Sequence, residues 1–189
     1  MLSVLLELQR LKRLDRTGWV LRGLPPGAES VAAHSYGVAL TAMLLADECA
    51  ARGVGVDVGR VLRIALLHDL QETRTGDMPR TVADYYGREA RRAAERAAFD
   101  DIMRGSTGAA AYAELHEDYE SRASLEARLV KAADGIDLLA QALAFERAGS
   151  RGLGEFWEGA AERDFQLEGA AREVVREAVA ALVDERSRQ

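Results

Sequence analysis

Apolar positions along this chain recur at helical spacing almost throughout, and no segment alternates apolar and polar residues as a half-buried strand would. Leu2 to Leu14 reads as a first helix, which Thr17-Gly18 breaks. Gly23-Leu24-Pro25-Pro26-Gly27 follows as a loop. Glu29 or Ser30 opens a second helix that runs through Val38, Leu40, Met43 and Leu44 to about Ala51. Arg52-Gly53-Val54-Gly55 ends it. Asp57 is a suitable N-cap for a third helix, Val58 to about His68. Gly76-Asp77-Met78-Pro79 reads as a loop. Gly87 to Met103 has the pattern of a charged, exposed helix, and Gly105-Ser106-Thr107-Gly108 separates it from another, Ala109 to Tyr119. Ser124 starts a long apolar helix through Val130, Ile136, Leu139 and Leu143. Gly149 to Gly154 is a turn, and Leu167 to about Arg186 closes the chain as a final helix. The expectation is an all-α fold in a single domain spanning residues 1–189, a length sufficient for a real core.

Composition narrows the function classes. The formal net charge of −6 argues against broad, charge-driven binding of nucleic acid or anionic membrane. Lys12 and Lys131 are the only lysines, so nearly all positive charge is arginine. Cys49 is the single cysteine, which excludes an intramolecular disulfide and makes a reducing cytoplasm the expected location. Met1 to Leu8 is apolar but short and interrupted by Glu7, unlike a signal peptide. No uncharged stretch is long enough to span a bilayer.

The chemistry concentrates around the histidines, of which there are three. In Leu66-Leu67-His68-Asp69-Leu70-Gln71-Glu72 a His-Asp pair ends an apolar run, and a glutamate follows one turn later. If the helix continues that far, Glu72 shares a face with His68 and Asp69. His34, in Glu29-Ser30-Val31-Ala32-Ala33-His34-Ser35, lies within an amphipathic helix where a polar side chain needs a partner. Two neutral imidazoles and a carboxylate suit Mn, Fe, Co, Ni or Zn. Taken singly, His34 also reads as a core histidine and His68-Asp69 as a helix end. Two His and one Asp leave the shell short. Asp134 is the natural fourth ligand, a carboxylate inside an otherwise apolar helix where an unpaired charge would be costly. Asp137 competes one turn on, and a pair with an arginine such as Arg128 is the structural alternative for Asp134. His116 sits in an acidic segment that reads as surface, apart from the site.

In order, His34, His68-Asp69 and Asp134 resemble the H…HD…D pattern of the HD-domain metal-dependent phosphohydrolases. Leu11-Lys12-Arg13-Leu14-Asp15-Arg16-Thr17-Gly18-Trp19-Val20, the segment Glu29 to Ser35, Leu67-His68-Asp69 to Glu72, Thr75-Gly76-Asp77 and Glu126 to Asp134 are similar to the 5′-deoxynucleotidase branch, which includes bacterial YfbR-like enzymes and the eukaryotic HD-domain-containing protein 2. The similarity runs from about Leu11 to Trp157. The H…HD…D set marks only the superfamily, and the Arg16-Thr17-Gly18-Trp19 and Glu72…Gly76-Asp77 segments are sharper. One departure is Ala33, where relatives usually carry an acidic residue before the histidine.

The resemblance implies an HD-type helical bundle with about five core helices plus peripheral ones, and hydrolysis of the 5′-phosphate of deoxynucleoside monophosphates. One divalent metal would be held by His34, His68, Asp69 and Asp134. Glu72 would shuttle a proton or orient the attacking water, and Asp77 would do related work near the leaving oxygen, or serve only as a turn residue. Arg16 would grip the phosphate through its planar fork, or sit solvated beside Lys12 and Arg13. Trp19 would pack on the sugar or base and help exclude a ribose 2′-hydroxyl, or simply fill the core. The expected partners are a small nucleotide and a second copy of the chain, with no nucleic acid and no membrane. The rival readings are another phosphate ester as substrate (a cyclic nucleotide, an alarmone or a non-nucleotide) and a sensor without turnover. Glu72 and Asp77 count against the sensor, because pure binding needs neither.

Overall fold

The backbone carbonyls of Leu11 and Leu14 anchor the chain that follows the first helix. Each accepts from a residue far along the chain: Val31 N–H donates to Leu14 at 2.8 Å and Ala32 N–H to Leu11 at 3.1 Å. The same strand-like pairing produces an isolated antiparallel bridge between Asp15 and Ser30. α1 spans Leu2–Leu8 and stops short of the Leu14 expected from periodicity, because the backbone then winds by i→i+3 bonds, Arg10 N–H to Glu7 at 2.8 Å and Leu11 N–H to Leu8 at 3.2 Å.

The computed structural model describes residues 1–79 and 82–188. After α1 the chain forms α2 (Thr17–Val20), α3 (Val31–Ala51), α4 (Val58–Leu67), α5 (Glu72–Thr75), α6 (Val82–Tyr86), α7 (Arg88–Met103), α8 (Ala109–Ser121), α9 (Leu125–Arg147), a 3-10 turn at Gly154–Phe156 and α10 (Gly169–Ser187). The all-α expectation holds, with no strand beyond that bridge among the described residues. Three short helices were not anticipated. α2 stands where Thr17-Gly18 reads as a break, α5 follows the His-Asp pair, and α6 lies in what reads as connecting chain. No helix among the described residues is long and apolar enough to cross a membrane.

The chain divides into two compact units. The first comprises Met1–Ser35 and Leu66–Glu120. Its core gathers Leu11, Val31, Leu70, Phe99, Ile102 and Met103, with Val4, Leu8, Leu14 and Tyr112 packed at the edge. Burial of such side chains stabilises by roughly 1.5–3 kcal/mol each. α7 is exposed along most of its length, as its charge suggests, but it turns Glu95, Phe99, Ile102 and Met103 into this core. His116 on α8 is buried too, its ring stacked on Phe99 at 4.2 Å, which corrects the surface placement. Burial pushes its imidazole pKa down.

The second unit comprises Tyr36–Ala65 and Ser121–Gln189. Asp57 and Ser124 act as the N-caps expected of them. Asp57 Oδ1 accepts from Arg60 N–H and Ser124 Oγ from Ala127 N–H, both at 3.0 Å. α9 buries Leu129, Val130, Ala132, Ala133, Ile136 and Leu139, and α10 packs on it. Two glycines permit close approach. A Cβ at Gly37 would lie 2.2 Å from Asp137 Oδ1, and one at Gly135 would lie 3.2 Å from an Arg163 nitrogen.

Candidate active site

Ser30 fixes the start of α3: its Oγ accepts from Ala33 N–H at 3.1 Å, and its carbonyl accepts from His34 N–H at 3.0 Å. His34 therefore sits in the first turn of a capped helix. His68 follows the end of α4 directly. The segment from there to α5 is wound by i→i+3 bonds, Leu70 N–H to Leu67 at 3.1 Å and Glu72 N–H to Asp69 at 3.1 Å. This tighter winding replaces the continuous helix that the sequence allowed. It still leaves Glu72 one turn beyond Asp69, and Glu72 is buried.

The two histidines are each 1 % exposed, and their rings meet edge to face with centroids 5.5 Å apart. A ring nitrogen of each lies within 4.8 Å of the other. Asp69 Oδ2 is 3.1 Å from His68 Nε2 and 3.7 Å from His34 Nε2. Arg16 NH1 is 3.6 Å from the same oxygen. Burial by itself would raise the Asp69 pKa. The charges of His68, Arg16 and His34, with a hydrogen bond from His68, outweigh it and hold the carboxyl well below the ordinary carboxylate range. Tyr119 on α8 closes the far side of His68 at 5.4 Å between ring centroids.

These atoms suit a divalent cation of borderline softness. Two imidazole nitrogens and a carboxylate oxygen converge, with the carboxyl held ionised as a ligand must be. Arg16, Asp69 and Asp77 keep 16 %, 13 % and 10 % of their side chains exposed, so a small ligand reaches the polar edge of this cluster.

Arg16, Thr17 and Asp77 form a second group beside the first. Arg16 NH1 donates to Asp77 Oδ1 at 2.9 Å, Thr17 N–H to Asp77 Oδ2 at 2.5 Å, and Thr17 Oγ1 to the Asp77 carbonyl at 2.7 Å. Arg16 is thus not a solvated arginine, and Asp77 is more than a turn residue. Gly76, with φ of 75°, turns the chain after α5 and delivers Asp77 there. Trp19 is 1 % exposed, and its Nε1–H donates to Glu29 Oε2 at 2.5 Å. The indole is therefore enclosed by the protein and is not an open stacking platform.

Asp134 lies on α9 in the second unit, where its Oδ2 accepts from Lys131 Nζ at 2.8 Å. Lys131 is thus a partner of Asp134, while Arg128 donates to the carbonyls of Arg122, Ala123 and Gln166. Asp137 lies against Gly37.

Sequence reasoning missed Glu29, Tyr119, Arg91 and Glu95. Arg91 Nε donates to the buried Glu95 at 2.7 Å. Burial opposes the Arg91 charge, but Glu95, Glu72 and Glu120 together raise its pKa. The i,i+4 spacing of Arg91 and Glu95 was a legible sign of the pair. Nothing local pointed to the Trp19–Glu29 bond.

A 5′-deoxynucleotidase of Xenopus laevis is 34 % identical over 145 residues, covering 75 % of this chain and 67 % of that protein. A 5′-deoxynucleotidase of Saccharomyces cerevisiae is 34 % identical over 164 residues, covering 82 % and 72 %. Among solved structures, a conserved hypothetical protein from Pyrococcus furiosus is 37 % identical with a TM-score of 0.84, covering 97 % of this chain and 99 % of that one. A protein from Magnetospirillum magnetotacticum described as a predicted metal-dependent phosphohydrolase is 25 % identical with a TM-score of 0.66, covering 99 % and 91 %. Residues 8–164 match the HD domain family, and with His34, His68 and Asp69 gathered at one point the chain belongs to that family.

Proposed function

We propose that this chain is a metal-dependent 5′-deoxynucleotidase that converts a deoxynucleoside monophosphate and water into a deoxynucleoside and phosphate. The observation that carries the reading is the convergence of His34, His68, Asp69 and Arg16: metal donors and a phosphate-binding fork around one carboxylate oxygen. The relatives named above as 5′-deoxynucleotidases support it.

In this reading His34, His68 and Asp69 hold one divalent ion (Mn, Co, Zn, Fe or Ni), and the sequence pattern assigns the remaining ligand to Asp134. The metal, when bound, polarises the phosphoryl group and makes water more acidic. Arg16 binds the phosphate oxygens, held at its angle by Asp77. Glu72, buried one turn after Asp69, accepts the proton of the attacking water as the P–O5′ bond breaks, and the leaving oxygen takes up a proton. Asp77 serves that leaving side through its hold on Arg16 and Thr17. Trp19 forms the wall against the sugar.

Residues 1–189 act in this reading as one HD domain in the cytoplasm, where the lone buried Cys49 stays reduced. We propose a homodimer as the assembly: Tyr36, Leu40 and Leu44 lie one turn apart along α3 and are all exposed. Light scattering on purified protein tests the dimer.

The deciding experiment is metal analysis of the purified protein, followed by phosphate release from matched nucleotides with Mn, Co or Zn added. Release from deoxynucleoside monophosphates and none from triphosphates is expected. Bound metal with no release from any nucleotide would shift the reading to another phosphate ester or to a sensor.

A further inference from the structure

The Trp19 indole is almost fully enclosed, so its one polar atom, the Nε1–H, has to find an acceptor inside the protein. Glu29 supplies it at 2.5 Å, a charge-assisted bond. Glu29 also accepts from Arg16 N–H through its own carbonyl, at 3.0 Å. One residue therefore holds the backbone of the phosphate-binding arginine and the side chain of the sugar wall. A Glu29 carboxylate oxygen further lies within 4.8 Å of a His34 ring nitrogen. The antiparallel bridge between Asp15 and Ser30 fixes this register, since it pairs the residue before Arg16 with the residue after Glu29.

A wall rejects a hydroxyl group only if it does not yield. Discrimination between deoxyribose and ribose rests on the volume of a single oxygen atom, and an indole free to rock by a few tenths of an ångström would admit it. We propose that Glu29 is the specificity-determining positioning residue of the deoxynucleotide site: its carboxylate locks the Trp19 indole and so makes the sugar wall rigid. This rests on the reading of the site as a deoxynucleotidase with Trp19 at the sugar. In that reading Glu29 is neither a metal ligand nor a phosphate contact, although its carboxylate lies close enough to His34 to be tested as one; it acts through Trp19.

The test compares kcat/KM for matched deoxy and ribo monophosphates in wild type, Glu29→Ala and Glu29→Gln. It also follows the fluorescence anisotropy of Trp19 in a Trp157→Phe background, which leaves Trp19 as the sole indole. Glu29→Ala is expected to lower the deoxy-to-ribo ratio by about tenfold, chiefly by raising activity on the ribonucleotide. Faster local motion of the indole should accompany it. Glu29→Gln keeps an acceptor oxygen and should retain the ratio to within about threefold and the slow anisotropy decay. Both variants should keep stoichiometric metal. An unchanged ratio and a rigid indole in Glu29→Ala would overturn the assignment, and loss of metal in Glu29→Gln would overturn it by making Glu29 a ligand. If Glu29→Ala does not fold, Trp19→Phe removes the donor and keeps a ring; a ratio equal to wild type there overturns the assignment as well. A wild type that cleaves both sugars equally brings down the sugar-wall reading itself. A wild type that discriminates, with variants that discriminate equally, brings down only the role of Glu29.

Discussion

Arg16 and Asp77 are 61 positions apart in the chain, and their side chains meet at 2.9 Å. The pair joins the segment before α2 to the loop after α5 and points the guanidinium toward Asp69, 3.6 Å away. An arginine gripped by one carboxylate is oriented before substrate arrives, which lowers the ordering cost of binding phosphate.

Asp77→Asn keeps the size of the side chain and removes its charge. We expect kcat/KM for the monophosphate to fall by about 10- to 100-fold, mostly through KM. Arg16→Ala should cost as much or more, and the double variant little beyond Arg16→Ala, because the two residues act as a unit. Strictly additive losses in steady-state kinetics would separate the two roles.

His68→Ala and Asp69→Ala should each remove bound metal and activity together. Elemental analysis of the purified variants checks this, with circular dichroism to establish that the helices persist. Stoichiometric metal in both variants would refute the ligand assignment.

Glu72→Gln is isosteric and cannot accept a proton at neutral pH. Metal content and thermal stability should stay near wild type while turnover drops by about 100-fold or more, the scale of general acid–base work. Near-normal turnover would remove Glu72 from the proton path.

His116 gives a prediction about pH and stability. Burial depresses its pKa in the folded state, against a pull upward from Glu120, Asp100 and Glu117, while Arg96 adds to the depression. The unfolded chain titrates near the ordinary value of about 6.5. Between the two values the unfolded state binds more protons, so stability is complete above about pH 6.5 and is lost as pH falls below it. His116→Gln should show a smaller drop in melting temperature between pH 7 and pH 5 than wild type. Parallel curves for the two proteins would contradict the burial argument.

Helical content, the main helix boundaries and the family were legible from the residues alone. Apolar spacing and N-caps are local signals: Asp57, Ser30 and Ser124 cap in the structure as their side-chain chemistry predicts. His34 and His68-Asp69 were legible as a set because imidazoles and a carboxylate on apolar helices need one another. Three features belong to the tertiary structure. The first helix gives way to i→i+3 turns after Leu8, and beyond it Val31 and Ala32 bond the carbonyls of Leu14 and Leu11. His116 and Glu95 are buried because their helices turn those faces inward, whatever the surrounding charge implies. The bonds of Asp77 to Arg16 and of Glu29 to Trp19 join residues that no periodicity relates. A helix records its neighbours three and four positions away, and so it can be read from sequence; a loop carboxylate finds its partner only when the fold brings the two together, and that choice leaves no mark on the spacing.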